Sequence, residues 1–204
     1  MKKGKLIVIE GGVGCGKTTQ IKLLKKDLKG WEFYREPGST KFGEKVRDAV
    51  QGLHNYQVEE NAAMFGYMAA RANLIRGLIV PKLKKGKNIA LDRYWYSTYA
   101  YQGSNGASKK NIEMLAKIAT NNLKPDLIIF YDLDPKVGMK RKAGRKDSDR
   151  YDVKEINFHS KVRRSYRQIG RKLGKRWKMV DASKPIWEVH SETLKLLKRG
   201  KIIK

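Results

Sequence analysis

The sequence has one cysteine and no hydrophobic run near the roughly 20 residues of a membrane span. Because the lone Cys15 cannot form an intramolecular disulfide, nothing calls for an oxidising compartment. The short apolar stretch near the N-terminus reaches Glu10 without a small-residue cleavage site, which argues against a secretory signal. The three histidines lie far apart and indicate neither a metal cluster nor a catalytic triad. We therefore expect a cytoplasmic protein, located in the host cytoplasm if the gene is viral.

Acidic residues are also scarce. The chain has 20 Asp or Glu against 46 Lys or Arg, a formal net charge of +26. Such a charge attracts phosphate-bearing partners, which include nucleotides, nucleic acid and anionic membranes, and by itself it does not choose among them. The surplus is concentrated between residues 136 and 176, where 16 residues are basic and 4 acidic. A solvated helical face would also explain that stretch.

The length and hydrophobic content indicate a globular protein. At 204 residues and 40% hydrophobic, the chain is long enough to bury a core and too apolar to be intrinsically disordered. The sequence contains neither an internal repeat nor a linker rich in Pro, Gly and Ser. We therefore predict a single domain that covers residues 1–204.

Five short segments rich in β-formers are spread along the chain, ending at Glu10, Glu36, Asp92, Leu133 and Ala182. Several of them are apolar on both faces, which is typical of parallel strands covered by helices on both sides. Longer segments with helical spacing separate them. This alternation predicts an α/β fold with a five-stranded parallel sheet flanked by helices.

Two local signals refine the helix prediction. Helical spacing extends over residues 58–83, and Pro81 is expected to bend or restart the end of this helix. Ser108 follows a Gly-rich loop and is expected to cap the next helix.

A glycine-rich segment, GGVGCGKTT, directly follows the first predicted strand. Within it Gly11, Gly16, Lys17 and Thr18 fit the pattern G-x-x-x-x-G-K-[ST]. Glycines let the backbone amides turn toward phosphate oxygens, Lys17 adds a cation at the β and γ phosphates, and Thr18 offers a hydroxyl to Mg²⁺. An ordinary glycine-rich turn is the alternative, but the position between a strand and a helical segment favours nucleotide binding.

Further motifs follow the other strands in a fixed order. REPGST follows the second strand, and MAAR ends at Arg71. LDRYWYSTYAYQG contains Asp92 and Arg93. DLDPKVGMKR begins within the fourth strand, and the dipeptide DR lies at 149–150. Together their order and spacing resemble the thymidylate kinase family of P-loop nucleoside monophosphate kinases. The resemblance extends over residues 6–189.

The resemblance implies a P-loop NTPase fold with a lid segment at about 136–155. It also implies a transfer of the γ-phosphoryl group from ATP to dTMP, which gives dTDP and ADP for dTTP synthesis. Mg²⁺ would accompany ATP, and the protein would be a homodimer packed through helices. No membrane partner is expected, and nucleic acid is expected only as a side activity of the basic surface.

Three alternatives remain open. A broader pyrimidine deoxynucleoside monophosphate kinase would accept dUMP as well as dTMP. A deoxynucleoside kinase would phosphorylate a neutral hydroxyl instead, although the pair Arg71 and Arg93 argues for a phosphorylated acceptor, because two guanidinium groups can both orient and neutralise a phosphate. A basic, nucleotide-switched nucleic-acid-binding protein is the alternative from another functional class.

The resemblance also implies roles for individual residues. The implied catalytic residues are Lys17, Asp92, Arg93, Arg145 and Arg150. The implied ATP-binding residues are Gly11, Gly14, Gly16, Lys17, Thr18, Thr19 and Arg141. The implied dTMP-binding residues are Glu36, Pro37, Tyr67, Arg71, Arg93, Thr98, Tyr101 and Gln102. The implied Mg²⁺ ligands are Thr18 and Asp92.

The chain departs from the family pattern in the phosphate loop. Phosphoryl transfer to an anionic acceptor requires alignment and charge neutralisation rather than a strong base. Some relatives carry a charge-stabilising arginine in the loop, where this chain has Gly14, so we expect lid arginines to supply it. Val13 replaces the usual Asp or Glu near the acceptor sugar, and a valine side chain cannot accept a hydrogen bond. We therefore expect a wider acceptor range, with dUMP as the first extension. Ser39 replaces a glycine in the acceptor loop.

Overall fold

The computed structural model describes residues 3–144 and 149–203, and its five strands form one parallel sheet. The strands are β1 Leu6–Gly11, β2 Glu32–Arg35, β3 Ile89–Asp92, β4 Leu127–Asp132 and β5 Trp177–Asp181. Their order is β2-β3-β1-β4-β5, with Ile7 of β1 opposite Ala90 of β3 and Leu127 of β4. The five predicted strands are confirmed, and each ends within one residue of the predicted position.

Helices connect the strands and flank the sheet. They are α1 Lys17–Asp27, α2 Lys41–Gln51, α3 Glu60–Leu74, α4 Val80–Lys84, α5 Trp95–Tyr101, α6 Lys109–Thr120, α7 Pro135–Lys142, α8 Ile156–Leu173 and α9 Ile186–Arg199. The predicted cap at Ser108 is confirmed, because its side chain accepts a hydrogen bond from the amide of Asn111. None of the described helices combines the length and the apolar character needed to cross a membrane.

The sheet has a hydrophobic core on each face. Leu6 and Val8 of β1 pack in one core with side chains of α3, α5 and α8, whereas Ile7 and Ile9 pack in the other with side chains of α1 and α9. Successive residues of a strand point to opposite faces, so a strand buried on both sides is apolar throughout. Because helices cover both faces of the sheet, we expect a ligand to bind at the carboxyl ends of the strands.

The predicted helix over 58–83 is divided in the structure. α3 ends at Leu74, a π-helical turn covers Ile75–Ile79, and α4 begins at Val80 with Pro81 in its first turn. A proline has no amide hydrogen to donate to the preceding turn. The change in hydrogen bonding therefore precedes Pro81, and the prediction that this proline restarts the end of the helix is confirmed, because α4 begins there.

A buried carboxylate at the end of β1 links three elements. Glu10 is fully buried, and its Oε1 accepts a hydrogen bond from the amide of Tyr94 at 2.8 Å. Its Oε2 accepts hydrogen bonds from the hydroxyls of Ser97 at 2.7 Å and Tyr166 at 3.0 Å. Arg93 donates through Nη1 to the same two hydroxyl oxygens, at 2.9 and 3.1 Å. The network joins β1, α5 and α8 around Arg93.

The burial of Glu10 predicts a pH dependence of stability. Burial raises the pKa of Glu10 from its ordinary 4.5 to about 7. Between these values the folded protein holds a proton that the unfolded chain has released, so the contribution of Glu10 to stability falls as the pH rises. Relative to Glu10→Gln, the wild-type free energy of unfolding should fall by about 3 kcal/mol from pH 4.5 to 7 and then level off. Urea unfolding of both proteins across this range measures the difference, and a constant difference would contradict the prediction.

Candidate active site

The segment between β1 and α1 forms a loop suited to phosphate. Gly14 and Gly16 have φ angles of 59° and 82°, in the left-handed region that glycine adopts readily. Gly16 precedes α1 and provides no side-chain hydrogen bond to the first amides of the helix. Those N–H groups are therefore available to phosphate oxygens, where the helix dipole also favours negative charge.

Helix α7 packs directly on this loop. A Cβ atom on Gly14 would lie 2.0 Å from the carbonyl oxygen of Gly138, and a Cβ atom on Gly138 would lie 2.2 Å from that of Val13. Both positions therefore require glycine. At the end of α7, Arg141 donates through Nη1 to the carbonyl oxygen of Ala182 at 3.0 Å, so α7 connects the loop with the segment after β5.

A cleft of about 920 Å³ extends from the loop to the segment after β3. Because β1 and β3 are parallel neighbours, their carboxyl ends lie at the same edge of the sheet. The predicted site residues that line the cleft are Gly14, Gly16, Lys17, Thr18, Thr19, Glu36, Pro37, Tyr67, Arg71, Asp92, Arg93, Thr98, Tyr101, Gln102 and Arg141.

Two of the described site residues, Gly11 and Arg150, are not part of this lining. The carbonyl oxygen of Gly11 accepts a hydrogen bond from Nη1 of Arg93 at 3.2 Å, which places Gly11 next to the cleft wall. Arg150 forms its contacts elsewhere, with the N-terminal part of α3. Arg145 lies outside the described residues.

Lys17 and Asp92 form an ion pair at the base of the loop. The side chains are 10% and 19% exposed, so little solvent screens their attraction. Burial raises the pKa of Asp92, but the positive charges of Lys17 and Arg93 outweigh burial and leave that pKa below its ordinary value. Asp92 is therefore ionised at neutral pH and lies beside the place where phosphates would bind.

Arg71, buried on α3, is held by three neighbours. Its Nε donates to Oε2 of Glu36 at 2.6 Å, Nη2 donates to the hydroxyl of Thr98 at 3.2 Å, and Nη1 contacts the sulfur of Met68 at 3.1 Å. A guanidinium group has five N–H donors, so two remain for a ligand. Burial raises the pKa of Glu36 despite the opposing effect of Arg71, and Oε1 of Glu36 has no hydrogen-bond partner in the described part of the chain.

Arg93 has an unusual backbone conformation. Its φ is 71°, a region that non-glycine residues rarely adopt and that is found more often at functional sites. The amide of Arg93 donates to the carbonyl oxygen of Ile9 at 2.9 Å, and its guanidinium group lies 5.2 Å from the ring centre of Tyr101. Together with the Glu10 network, these contacts fix the direction of the side chain.

A further arginine in the cleft was not among the predicted site residues. Arg47 on α2 lines the cleft and donates through Nη1 to the carbonyl oxygen of Pro37 at 3.4 Å. Burial lowers the pKa of Arg47, and the positive charges of Arg35 and Arg93 lower it further. An anionic ligand would relieve this repulsion. The only sequence signal for Arg47 was its place in the helix after REPGST.

Tyr151 is a second residue that the sequence did not reveal. Its hydroxyl oxygen accepts a hydrogen bond from Nε2 of Gln102 at 2.8 Å and one from the hydroxyl of Tyr67 at 3.4 Å. Tyr151 therefore joins two predicted acceptor-site residues. Its one sequence signal was its position directly after Arg150.

Arg150 contacts Val58, Glu60 and Tyr151 in this structure. Nη1 donates to the carbonyl oxygen of Val58 at 2.7 Å, and Nη2 donates to Oε1 of Glu60 at 2.8 Å and to the hydroxyl of Tyr151 at 2.5 Å. The structure does not bring Arg150 to the phosphate loop. The catalytic roles of Arg145 and Arg150 and the lid at 136–155 remain predictions.

Ser39 marks the other departure from the family pattern. It has a φ of 63°, so the position at which the family pattern has glycine is left-handed in this chain. Its hydroxyl accepts a hydrogen bond from the amide of Arg35 at 2.7 Å, and its own amide donates to Glu44 at 2.8 Å. These local hydrogen bonds help to hold serine in a conformation that glycine adopts at lower cost.

Comparisons with known proteins agree with this geometry. The family model described as Thymidylate kinase matches residues 9–193. A thymidylate kinase of a Thermoanaerobacter species is 37% identical over 202 residues, which cover 97% of this chain and 98% of that protein. The thymidylate kinase of Caldanaerobacter subterraneus is 37% identical over 95% of this chain and 94% of its own length, and that of Clostridium novyi is 32% identical over 97% and 100%. The chain therefore belongs to the thymidylate kinase family.

Proposed function

We propose that the protein is an ATP-dependent nucleoside monophosphate kinase that transfers the γ-phosphoryl group of ATP to dTMP, giving ADP and dTDP. The main support is that one cleft contains both the phosphate loop and the pair Arg71 and Arg93. Two anion sites that share a cleft suit a donor triphosphate and an acceptor monophosphate. Family membership over nearly the whole chain supports the same reaction.

ATP is assigned to the side of the cleft formed by the phosphate loop and α7. The free amides at the start of α1 would bind phosphate oxygens, and Lys17 would neutralise the β and γ phosphates. Asp92 holds Lys17 in place before ATP arrives. Arg141, between the loop and the segment after β5, borders the same part of the cleft.

Mg²⁺ bound with ATP would neutralise and align the phosphates. Thr18 and the ionised Asp92 would hold it, since a hydroxyl and a carboxylate are the oxygen donors that Mg²⁺ prefers. Residues 3–144 and 149–203 contain no group of three or more His, Cys, Asp or Glu suited to a metal ion. That sparse protein donor set fits an ion whose other ligands are water and substrate phosphates.

The acceptor is assigned to the side lined by α3 and α5. Arg71 and Arg93 would hold the phosphate of dTMP, and their fixed side chains would orient it toward the loop. Tyr67, Thr98 and Gln102 would surround the base, with Tyr101 near the sugar. The acceptor phosphate is already anionic, so alignment and charge neutralisation carry the reaction without a strong base.

The acceptor assay tests this proposal directly. With Mg-ATP as donor, ADP release should be fastest with dTMP, slower with dUMP, and near background with dGMP or thymidine. The arginine pair requires a phosphate, which thymidine lacks. The pocket of Tyr67, Thr98 and Gln102 is assigned to a pyrimidine base, which dGMP lacks, whereas dUMP differs from dTMP by one methyl group. A coupled ADP assay measures all four acceptors. Turnover of thymidine without turnover of dTMP would exclude the proposal.

Arg71→Lys tests the arginine pair. Lysine keeps a positive charge opposite Glu36 but lacks the planar fork of donors, so the orientation of the phosphate should be lost. We expect the KM for dTMP to rise at least about tenfold, or roughly 1.4 kcal/mol, with little change in the KM for ATP. Arg76→Lys is the matched control, because Arg76 lies on the continuation of the same helix and is exposed. An unchanged KM for dTMP in Arg71→Lys would rule out this role.

We also propose a homodimer formed through α3 and α6. Phe65 on α3 is 58% exposed, and Met114 and Ile118 on the neighbouring α6 are 54% and 63% exposed. Exposed apolar side chains on two packed helices are typical of an interface. Phe65→Lys should therefore halve the mass measured by light scattering at micromolar concentration, whereas Met179→Lys, a change of an exposed apolar residue on β5, should not. A monomeric wild-type protein would contradict the proposal.

A further inference from the structure

Helix α8 and the turn after it have an unusual charge. From residue 156 to residue 180 the sequence contains nine Lys or Arg and no Asp or Glu. Two of these, Arg163 and Arg167, pair with Asp132 of β4, and Lys172 pairs with Glu113 of α6. The cations with no carboxylate partner in the described part of the chain are Lys161, Arg164, Arg171, Lys175, Arg176 and Lys178.

Three of the unpaired cations lie along one exposed side of α8, and a fourth follows in the turn after it. Lys161, Arg164, Arg171 and Lys175, here called the basic stripe, are all exposed and are separated by three, seven and four residues. At 100° and 1.5 Å per residue, the three on α8, Lys161, Arg164 and Arg171, fall within about 80° of one another and extend over about 15 Å. Lys175 lies in the short 3₁₀ turn after α8, beyond Gly174, whose φ of 56° ends the helix.

The basic stripe is separate from the catalytic cleft. None of its four residues lines the cleft, whose cations include Lys17, Arg47, Arg71 and Arg93. The reaction with ATP and dTMP therefore leaves the charge of the stripe unused. Unpaired side chains of like charge in a row repel one another, and a bound polyanion would reduce this repulsion.

We propose that the basic stripe is a docking surface for the phosphate backbone of double-stranded nucleic acid, without sequence preference. The part of the stripe on α8, about 15 Å long, extends along about four base pairs, since each base pair adds about 3.4 Å per strand. Its arginine and lysine side chains suit phosphate contacts, which position a protein without reading the bases.

The surroundings of the stripe favour a duplex over other polyanions. The apolar side chains of α8, including Val162, Tyr166 and Ile169, are buried in the core, so the helix has no apolar face to insert into a membrane. Its aromatic residues Phe158 and Tyr166 are buried too, so α8 offers no platform on which single-stranded bases could stack. The exposed side of α8 therefore matches a backbone rather than a base or a lipid tail.

Binding of a fluorescein-labelled 25-base-pair duplex, measured by fluorescence anisotropy from 50 to 300 mM KCl without nucleotide, tests the proposal. The stripe variant carries K161Q, R164Q, R171Q and K175Q. The control variant removes four exposed cations from the C-terminal region around α9, as K195Q, K198Q, R199Q and K201Q. Both variants reach the same net charge, so they separate a local site from the overall charge.

We expect the wild type to bind the duplex at 100 mM KCl and the stripe variant to bind at least tenfold more weakly. Loss of four phosphate contacts should make the slope of log K against log salt shallower by about 3.6, at about 0.9 per phosphate. The control variant should stay within about threefold of the wild type in affinity. Thymidylate kinase turnover should stay unchanged in both variants, which checks that they fold.

Several outcomes would overturn the proposal. The first is that the wild type does not bind the duplex at 100 mM KCl, and the second is that both variants lose duplex affinity equally. The others are tighter binding of the single strand than of the duplex, and stripe-dependent binding of phosphatidylserine vesicles in place of the duplex. If the stripe variant fails to fold, the double variants K161Q/R164Q and R171Q/K175Q should each lose part of the affinity, and no loss in either overturns the proposal. Because the assay contains no ATP or dTMP, its outcome is independent of the kinase proposal.

Discussion

The arrangement of the cleft depends on the buried carboxylate of Glu10. An unpaired buried carboxylate would cost several kcal/mol, so its burial requires hydrogen-bond donors and a positive charge nearby. Tyr94 and Ser97 supply donors from the segment after β3, Tyr166 supplies one from α8, and Arg93 donates to two of the same hydroxyls. The interaction that closes α5 and α8 onto β1 thus also holds a cation beside the phosphate loop.

Much of the fold was predictable because its signals are local. Strands buried on both faces, such as Leu6–Gly11 and Leu127–Asp132, are nearly continuous apolar runs. Such short runs can be recognised from neighbouring residues alone. The phosphate loop was predictable for the same reason, since its glycines and Lys17 are consecutive in sequence. The extent of the domain, by contrast, stays a prediction. It was inferred from the length and composition of the whole chain, and no local motif indicates a domain boundary.

The parts that sequence did not reveal depend on contacts between distant segments. The shape of the loop requires Gly138, more than 120 residues away from Gly14, because their backbones touch. Tyr151 becomes part of the acceptor side only where Gln102 and Tyr67 meet it. Family spacing identified the arginines, but it could not tell which neighbour each side chain would turn toward. For that reason Arg150 was expected at the phosphates and is found against α3 instead.

Two groups of cations in the described part of the chain suit different tasks. A carboxylate or a hydroxyl network holds each of Lys17, Arg71 and Arg93. Burying these charges has a desolvation cost, but it fixes the direction of each side chain before a ligand binds. Fixed side chains favour phosphoryl transfer, because only correctly aligned charges stabilise the transition state. Among residues 3–144 and 149–203, the side chains of the basic stripe find no such partners, so they keep their rotamer freedom. Binding to a repeating backbone tolerates that freedom, since any nearby phosphate serves equally well. The absence of carboxylate partners at the stripe, within the described residues, therefore suits a contact that positions a protein without reading sequence.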